Sequence, residues 1–355
     1  MMTVKSLLKF KYKVTNTISP LGLRPELKIE RTMKVLKKNR HHSATQSGFS
    51  IIELMISIAL GLLVLLAVLE IFSVSMQGVH SQNNFSRVQE NGRLATELIV
   101  RDIRSADYWG CSADISQITN NLDTTVSDYD ASILPTAGHA IDGNNNVTSQ
   151  TISSISVIDN TDTLILRGAT SISGVKINSD MTTTDETIKV NISDNIPVGD
   201  LILISDCLKA DLFSNSEQTT PTNAEISHSI GALATGIKNR SGNLSHAYGK
   251  DAQILRPYTK VYFIGTNSAG TNSLYRADNG VANELVRGVN DLQIMYGEDT
   301  NGNGSVNTFT ETPTDTDQVL SIRVSITAES SDSSQGTQLE RTYNTTANIR
   351  NRTLQ

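Results

Sequence analysis

Few residues in this chain combine a reactive type with telling spacing, and the sharpest is Glu53, a carboxylate on the fifth residue after Gly48 at the head of an apolar run. A charge near the start of a membrane helix costs about 2.5–3.5 kcal/mol on insertion scales, so it needs a partner or a purpose. Were the segment before the apolar run removed, an acid about four residues into the helix could meet the terminal amine of a neighbouring helix packed beside it. Such a buried pair sets register more than it adds stability, because desolvation offsets most of the Coulomb gain. The plainer reading is that Glu53 snorkels toward headgroups.

Two further groups of residues invite chemistry. Cys111 and Cys207 are the two cysteines, and both follow the apolar run. If that side of the chain is exported, an even count in an oxidising compartment favours a disulfide. Closing roughly 100 residues, it would contribute about 4.7 kcal/mol on the loop-entropy account. A redox site or a metal-ligand pair lacks the C-x-x-C spacing. Asp299-Thr-Asn301-Gly-Asn303-Gly304-Ser305 places oxygen ligands at alternate positions around turn glycines, like the front half of a calcium loop. Thr310 stands where a bidentate acid belongs and two ligands are Asn, so any calcium affinity falls in the weak range of about 10⁻⁴–10⁻³ M. The same residues also read as a polar Asn-Gly loop leaving a strand at Gly297. Asp142-Gly-Asn144-Asn-Asn146 follows the pattern less well, with Val147 in the glycine position.

Catalysis finds no footing. His41 and His42 precede Gly48, while His80, His139, His228 and His246 are scattered without triad or metal-ligand spacing and read as surface polar residues. No G-x-S-x-G, H-E-x-x-H or phosphate-cradling glycine loop is present. Tyr108 and Trp109 read as packing where a helix meets a domain.

The elements that must position these residues begin with an uneven charge. Residues 1–48 hold eleven Lys and Arg against Glu26 and Glu30, a balance of +9, and the remainder of the 355 residues carries −15. An acidic body argues against direct nucleic-acid binding, which needs clustered cations. From Leu54 to Leu69 only Ser57 and Gly61 interrupt apolarity, giving about 24 Å of helix, and the flanking apolar residues extend it toward the ~30 Å hydrocarbon core. Lys and Arg before the span place the leader in the cytoplasm and everything after about Phe72 outside it. A cleaved secretory signal, ending at Ser73-Val74-Ser75, is the rival reading; its apolar region would exceed the usual length and it leaves Glu53 unexplained.

Beyond the span, Phe85, Val88, Ala95, Leu98, Ile99 and Ile103 recur at helical spacing, with Arg87, Glu90, Arg93, Glu97, Arg101 and Asp102 on other faces. This predicts an amphipathic half-helix lying on a soluble domain, with Gly61, Gly78 and Gly92 as flex points. The rest reads as β, with strands at 163–167, 187–192, 201–204, 260–264, 292–296 and 320–327. Loops are expected at 212–225, 234–250, 266–272, 298–317 and 329–338. No internal repeat is visible.

Gly48-Phe-x-x-x-Glu53 opening an apolar helix after a basic leader resembles the processing signal of type IV prepilins and related pseudopilins. The resemblance implies that a prepilin peptidase cuts between Gly48 and Phe49 and methylates Phe49, and that Glu53 acts in assembly. The leader is long for that family, and starting at Met33 would shorten it. Further blocks, Asp102 to Cys111, Ser205 to Phe213, Leu285 to Gly297 and Ile349 to Arg352, resemble PilW-type minor pilins. That family implies an α+β fold: a leader at 1–48, a long helix at 49–104, and a β-rich pilin-like periplasmic domain at 105–355. It implies a non-enzymatic minor pilin, anchored in the inner membrane and then part of the pilus tip. Its partners would be other minor pilins and the major pilin, with which it primes assembly. A type II secretion pseudopilin and a calcium-dependent tip adhesin are the alternatives.

Overall fold

A computed structural model describes residues 48–111, 118–126, 129, 140–191, 196–220, 224–231, 236–330 and 339–353. The basic leader up to residue 47, with Met33, His41 and His42, lies outside the described residues, as do His139 and most of the loop expected at 329–338. The chain divides into two units, Met1–Ala67 and Val68–Gln355, and helix α1 (Ile51–Ser105) continues through the division.

In the first unit the backbone is irregular at 48–50 and helical from Ile51, where the Ser50 carbonyl accepts the amides of Glu53 at 3.0 Å and Leu54 at 3.1 Å. Every described side chain there is exposed. Among the described residues α1 is the one helix long and apolar enough to cross a membrane.

In the second unit α1 becomes amphipathic, burying Val88, Gly92, Ala95, Ile99, Asp102 and Ile103. Phe85, expected on that stripe, is 43% exposed. At Gly92 the helix is unbroken, and a Cβ there would fall 2.0 Å from the Tyr343 ring. The Tyr343 hydroxyl donates to the Val88 carbonyl at 3.3 Å, so the missing side chain lets a strand lie against the helix. Gly92→Ala therefore should cost about 1–3 kcal/mol by overpacking despite its better helix propensity. Gly78→Ala, with open space around it, should be neutral or stabilising by up to about 1 kcal/mol. Urea unfolding of both variants checks the contrast.

The described residues after α1 form β1 (Ile118–Asn120), β2 (Ile141–Asn144), β3 (Thr151–Ile152), β4 (Ile155–Ser156), β5 (Thr163–Ser171), β6 (Ile188–Lys189), β7 (Leu201–Ser205) and β8 (Ala210–Ser214). Then come β9 (Glu225–Ile226), β10 (Gln253–Thr266), β11 (Asn272–Asp278), β12 (Val281–Arg287), β13 (Val289–Glu298), β14 (Thr308–Thr310), β15 (Val319–Glu329), β16 (Glu340–Asn348) and the short α2 (Arg350–Thr353). One sheet runs β1-β8-β7-β10-β11-β12, with β5 on β10 and β2 on β5. The long β10 organises it, pairing β7 with its first residues, β5 with its middle and β11 with its last. The second sheet, β14-β13-β15-β16, is antiparallel throughout.

The largest core packs α1 against both sheets, through Ala95, Ile99, Ile103, Trp109, Leu166, Tyr262, Leu292, Ile322 and Val324 among others. A separate core of Ile188, Val190, Ile202, Ile204, Phe213, Ile226 and Tyr248 supports the segment between β5 and β10. The alternation expected over 320–327 holds for Ile322, Val324 and Ile326, but Val319 is buried and Leu320 only half so. The pairing passes from Ser321 directly to Val319 opposite β13, and this bulge reverses the inward phase.

Two expected loops contain paired strand or helical turn. Residues 212–214 belong to β8, held between β7 and the parallel β1. Within 298–317 lies β14, and a 3-10 turn at Thr316–Gln318 straddles the end of that range. Polar, small residues hid these segments, although β8 pairs the neighbouring β7 and β14 pairs the neighbouring β13.

Candidate functional site

The head of α1 carries the proposed processing and assembly residues. Gly48 and Phe49 precede the helix, and Phe49 is 80% exposed. Glu53 lies in the first turn. Ser50 and Glu53 have the S-x-x-E spacing of a capping box, and an acid near a helix N-terminus is favoured by the backbone dipole. That local reason for an acid is legible in the sequence. It does not compete with a role after cleavage, when the new amine would lie four residues away.

The exit of α1 is built from far more of the chain. Asp102, assigned to a solvent face by its type, is 3% exposed. Its carboxylate accepts the Tyr262 hydroxyl at 2.7 Å and a guanidinium N–H of Arg276 at 3.1 Å, with the Lys260 ammonium at 3.2 Å. Burial pushes the Asp102 carboxyl up, but the Tyr262 hydrogen bond and the Lys260 and Arg276 charges outweigh it and hold it below the ordinary carboxylate range. The same burial and the negative neighbour drive the Tyr262 phenol well up. Arg276 is itself braced by Asp278 at 2.8 Å. The sequence contained the signal: Asp102 follows Val88 and Ala95 at seven-residue steps, on the buried stripe.

Immediately after the helix the backbone turns sharply. Asp107 has φ +60° and Gly110 φ +90°. A Cβ on Gly110 would sit 2.9 Å from Leu255 and 3.0 Å from Ser205, so only glycine fits. Carbonyls at a helix end lack intrahelical partners, and here distant side chains supply them. The Tyr258 hydroxyl donates to Ser105 O at 3.0 Å and the Asn351 amide to Ala106 O at 2.7 Å. Burial pushes the Tyr258 phenol up to about 12. Asp107 accepts the Trp109 indole N–H at 2.7 Å and, on its other oxygen, Arg352 Nε. Arg352 also donates to the carbonyls of Thr316 and Val319, so the closing Ile349-Arg-Asn-Arg352 block clamps the helix exit to β15.

Cys111 and Cys207 form the expected disulfide, joining this exit to the turn between β7 and β8. Trp109, 1% exposed, packs at the junction as its type foretold. All four sequence blocks meet in the largest core: Ile103, Ala106 and Trp109 from the first, Ala210 and Leu212 from the second, Val286 to Tyr296 from the third, and Ile349 from the fourth. Their separation along the chain is the cost of surrounding one helix end.

Asp211, 0% exposed, accepts the Asn121 amide, the Ser245 amide and hydroxyl, and the Tyr248 hydroxyl, the last at 2.6 Å. It fastens the described part of the segment expected as a loose loop at 234–250. His228, expected at the surface, is 3% exposed, with Nε2 at 3.0 Å from the Glu186 carbonyl and its ring edge-on to Phe213. His80 is exposed on α1, and His246 Nε2 lies 3.5 Å from Asp206.

In the loop after β13, Asp299 accepts the Asn303 amide at 3.1 Å and the Gly304 amide at 2.6 Å. Asn301 also accepts the Asn303 amide, and Asn303 accepts that of Ser305. Although desolvation pushes the Asp299 carboxyl up, these amides hold it below the usual range. The alternate oxygens of Asp299, Asn301 and Asn303 thus turn inward on the loop's own backbone. Among the described residues, no three His, Cys, Asp or Glu side chains gather where a metal ion could be held.

Residues 261–352 match the family model of type IV pilus-assembly protein W, and residues 43–69 match the prokaryotic N-terminal methylation motif. The first match contains two of the four blocks, Leu285 to Gly297 and Ile349 to Arg352; the second contains Gly48, Phe49 and Glu53. No curated protein and no solved structure matches the chain.

Proposed function

We propose that the chain, with its PilW match over residues 261–352 and its N-terminal methylation motif over 43–69, is a PilW-type pilin that serves as a minor subunit, joining other minor pilins to prime pilus assembly and cap the tip. Pilins of this type are structural rather than enzymatic. In this reading the peptidase cuts between Gly48 and Phe49, the basic leader stays in the cytoplasm, and the apolar half of α1 holds the subunit in the inner membrane until assembly. The observation that carries the proposal is the fully exposed apolar helix beginning just after Gly48 with Glu53 in its first turn. Contiguous apolar surface of that extent is stable only in lipid or against other helices. Assembly then exchanges lipid for neighbouring helices, with Glu53 answering a neighbour's N-terminal amine.

Intact-mass and N-terminal analysis of the protein purified from its own membrane tests this. The expected product begins at methylated Phe49, and Gly48→Val leaves the leader attached and surface pili absent. A chain beginning at Met76, or one uncut in cells that mature other pilins, overturns the reading. Glu53→Ala is expected to retain the cut yet reduce surface pili. If deleting the protein abolished secretion while sparing pili, the role would pass to a secretion pseudopilin.

A further inference from the structure

We propose that an open groove beside the last turns of α1 receives an acidic, partly apolar segment of a neighbouring subunit. This deepens the assembly role above and rests on it. The groove, of about 1140 Å³, lies wholly within the second unit, between α1, the end of β5, the middle of β10, and α2. Its size exceeds the ~300–1,000 Å³ of typical small-molecule sites, which suits a peptide better than a metabolite.

Charge sets the occupant. Arg101, Arg104, Lys260 and Arg350 line the groove with Glu97 as the sole acidic lining residue. Arg101 and Lys260 both lean on Asp102, at 3.5 and 3.2 Å, and Asp102 also serves Arg276 at 3.1 Å. One buried carboxylate thus faces the two groove cations Arg101 and Lys260 while also being shared with Arg276, which has Asp278 besides, and cations outnumber acids in the groove lining. They do so on a body that carries −15 after Gly48. A long polyanion would be repelled by that body as soon as it left the groove, whereas a short carboxylate-bearing segment would not. The lining between the cations is apolar, with Leu94 43% exposed beside Leu98 and Tyr258. An amphipathic acidic segment matches both features: carboxylates for the arginines and aliphatic side chains for Leu94 and Leu98.

The test uses the full chain in its native membrane with a photo-crosslinking amino acid replacing Leu94. Mass spectrometry of the adduct should identify a segment of another pilus subunit that carries at least two Asp or Glu within about five residues. Arg104→Glu should lower the yield at least about fivefold, as lost and reversed surface pairs do, and Arg104→Lys should restore it. A yield indifferent to Arg104→Glu, an adduct with lipid or nucleic acid, a partner segment without acids, or no adduct in piliated cells would each overturn the proposal. The N-terminus is read in the same samples. An uncut Gly48 would sink the assembly reading itself, while a cut chain without the acidic adduct sinks the groove alone.

Discussion

Replacing Cys111 and Cys207 together by alanine is expected to lower the unfolding free energy of the globular unit by about 4.7 kcal/mol, the loop-entropy value for a closed loop near the 96 residues bridged here. Both half-cystines are exposed, so their removal opens no cavity, and the loss measures the tether itself. Reduction of the wild-type protein should reproduce the double variant's urea midpoint. The structural reason for so large an effect is where the bridge sits. It joins the end of α1 to the β7–β8 turn, and that turn is held on its other side by the Asp211 network. A shift below about 1 kcal/mol would mean that the hydrogen bonds at the helix exit already hold the two together without it.

Asp102→Ala is expected to cost about 3 kcal/mol, the low end of what removing one member of a buried ionic cluster does. The low end applies because Lys260 and Arg276 each keep 20% of their side-chain surface in water, and Arg276 retains Asp278. The carboxyl is held below its ordinary value of 3.8, so its contribution is full above that pH and is lost as pH falls through the lower folded value. The gap in stability between wild type and Asp102→Asn should therefore be constant near neutrality and close below about pH 3.8. Urea titrations at a series of pH values read this directly. A gap that widened in acid would mean that Asp102 is buried protonated, and the ionic account of the helix anchor would fail.

Legibility differed sharply between the two ends of α1. The signal at Gly48, Phe49 and Glu53 is local: one acid, one glycine and a run of apolar residues carry it, and each can be read without knowing what else is near. The helix that follows was equally legible, since α1 begins at Ile51 and ends at Ser105 against an expected 49–104. The strands with the best periodicity, β13 and β15, were found for the same reason. Where residue type and period disagreed, type misled. The charge of Asp102 suggests a wet face and the glycine at 92 suggests a hinge, whereas the structure buries Asp102 and packs Tyr343 against Gly92. In both cases the buried stripe through Val88, Ala95 and Ile99 held the answer.

Amino-acid order alone determined what needs only neighbours along the chain: a basic stretch before an N-terminal methylation motif, an apolar helix long enough for a bilayer, an acidic body, and an even pair of cysteines. Tertiary structure decided which distant groups share one place. Nothing in the spacing of Arg352, Tyr258 and Asn351 foretells that they hold the last turn of α1, because their partners are backbone carbonyls and a carboxylate more than a hundred residues away. Hydrogen bonds and ion pairs act over a few ångströms whatever the separation in sequence, so the anchor and the basic groove beside it exist only once two sheets have closed around one helix end.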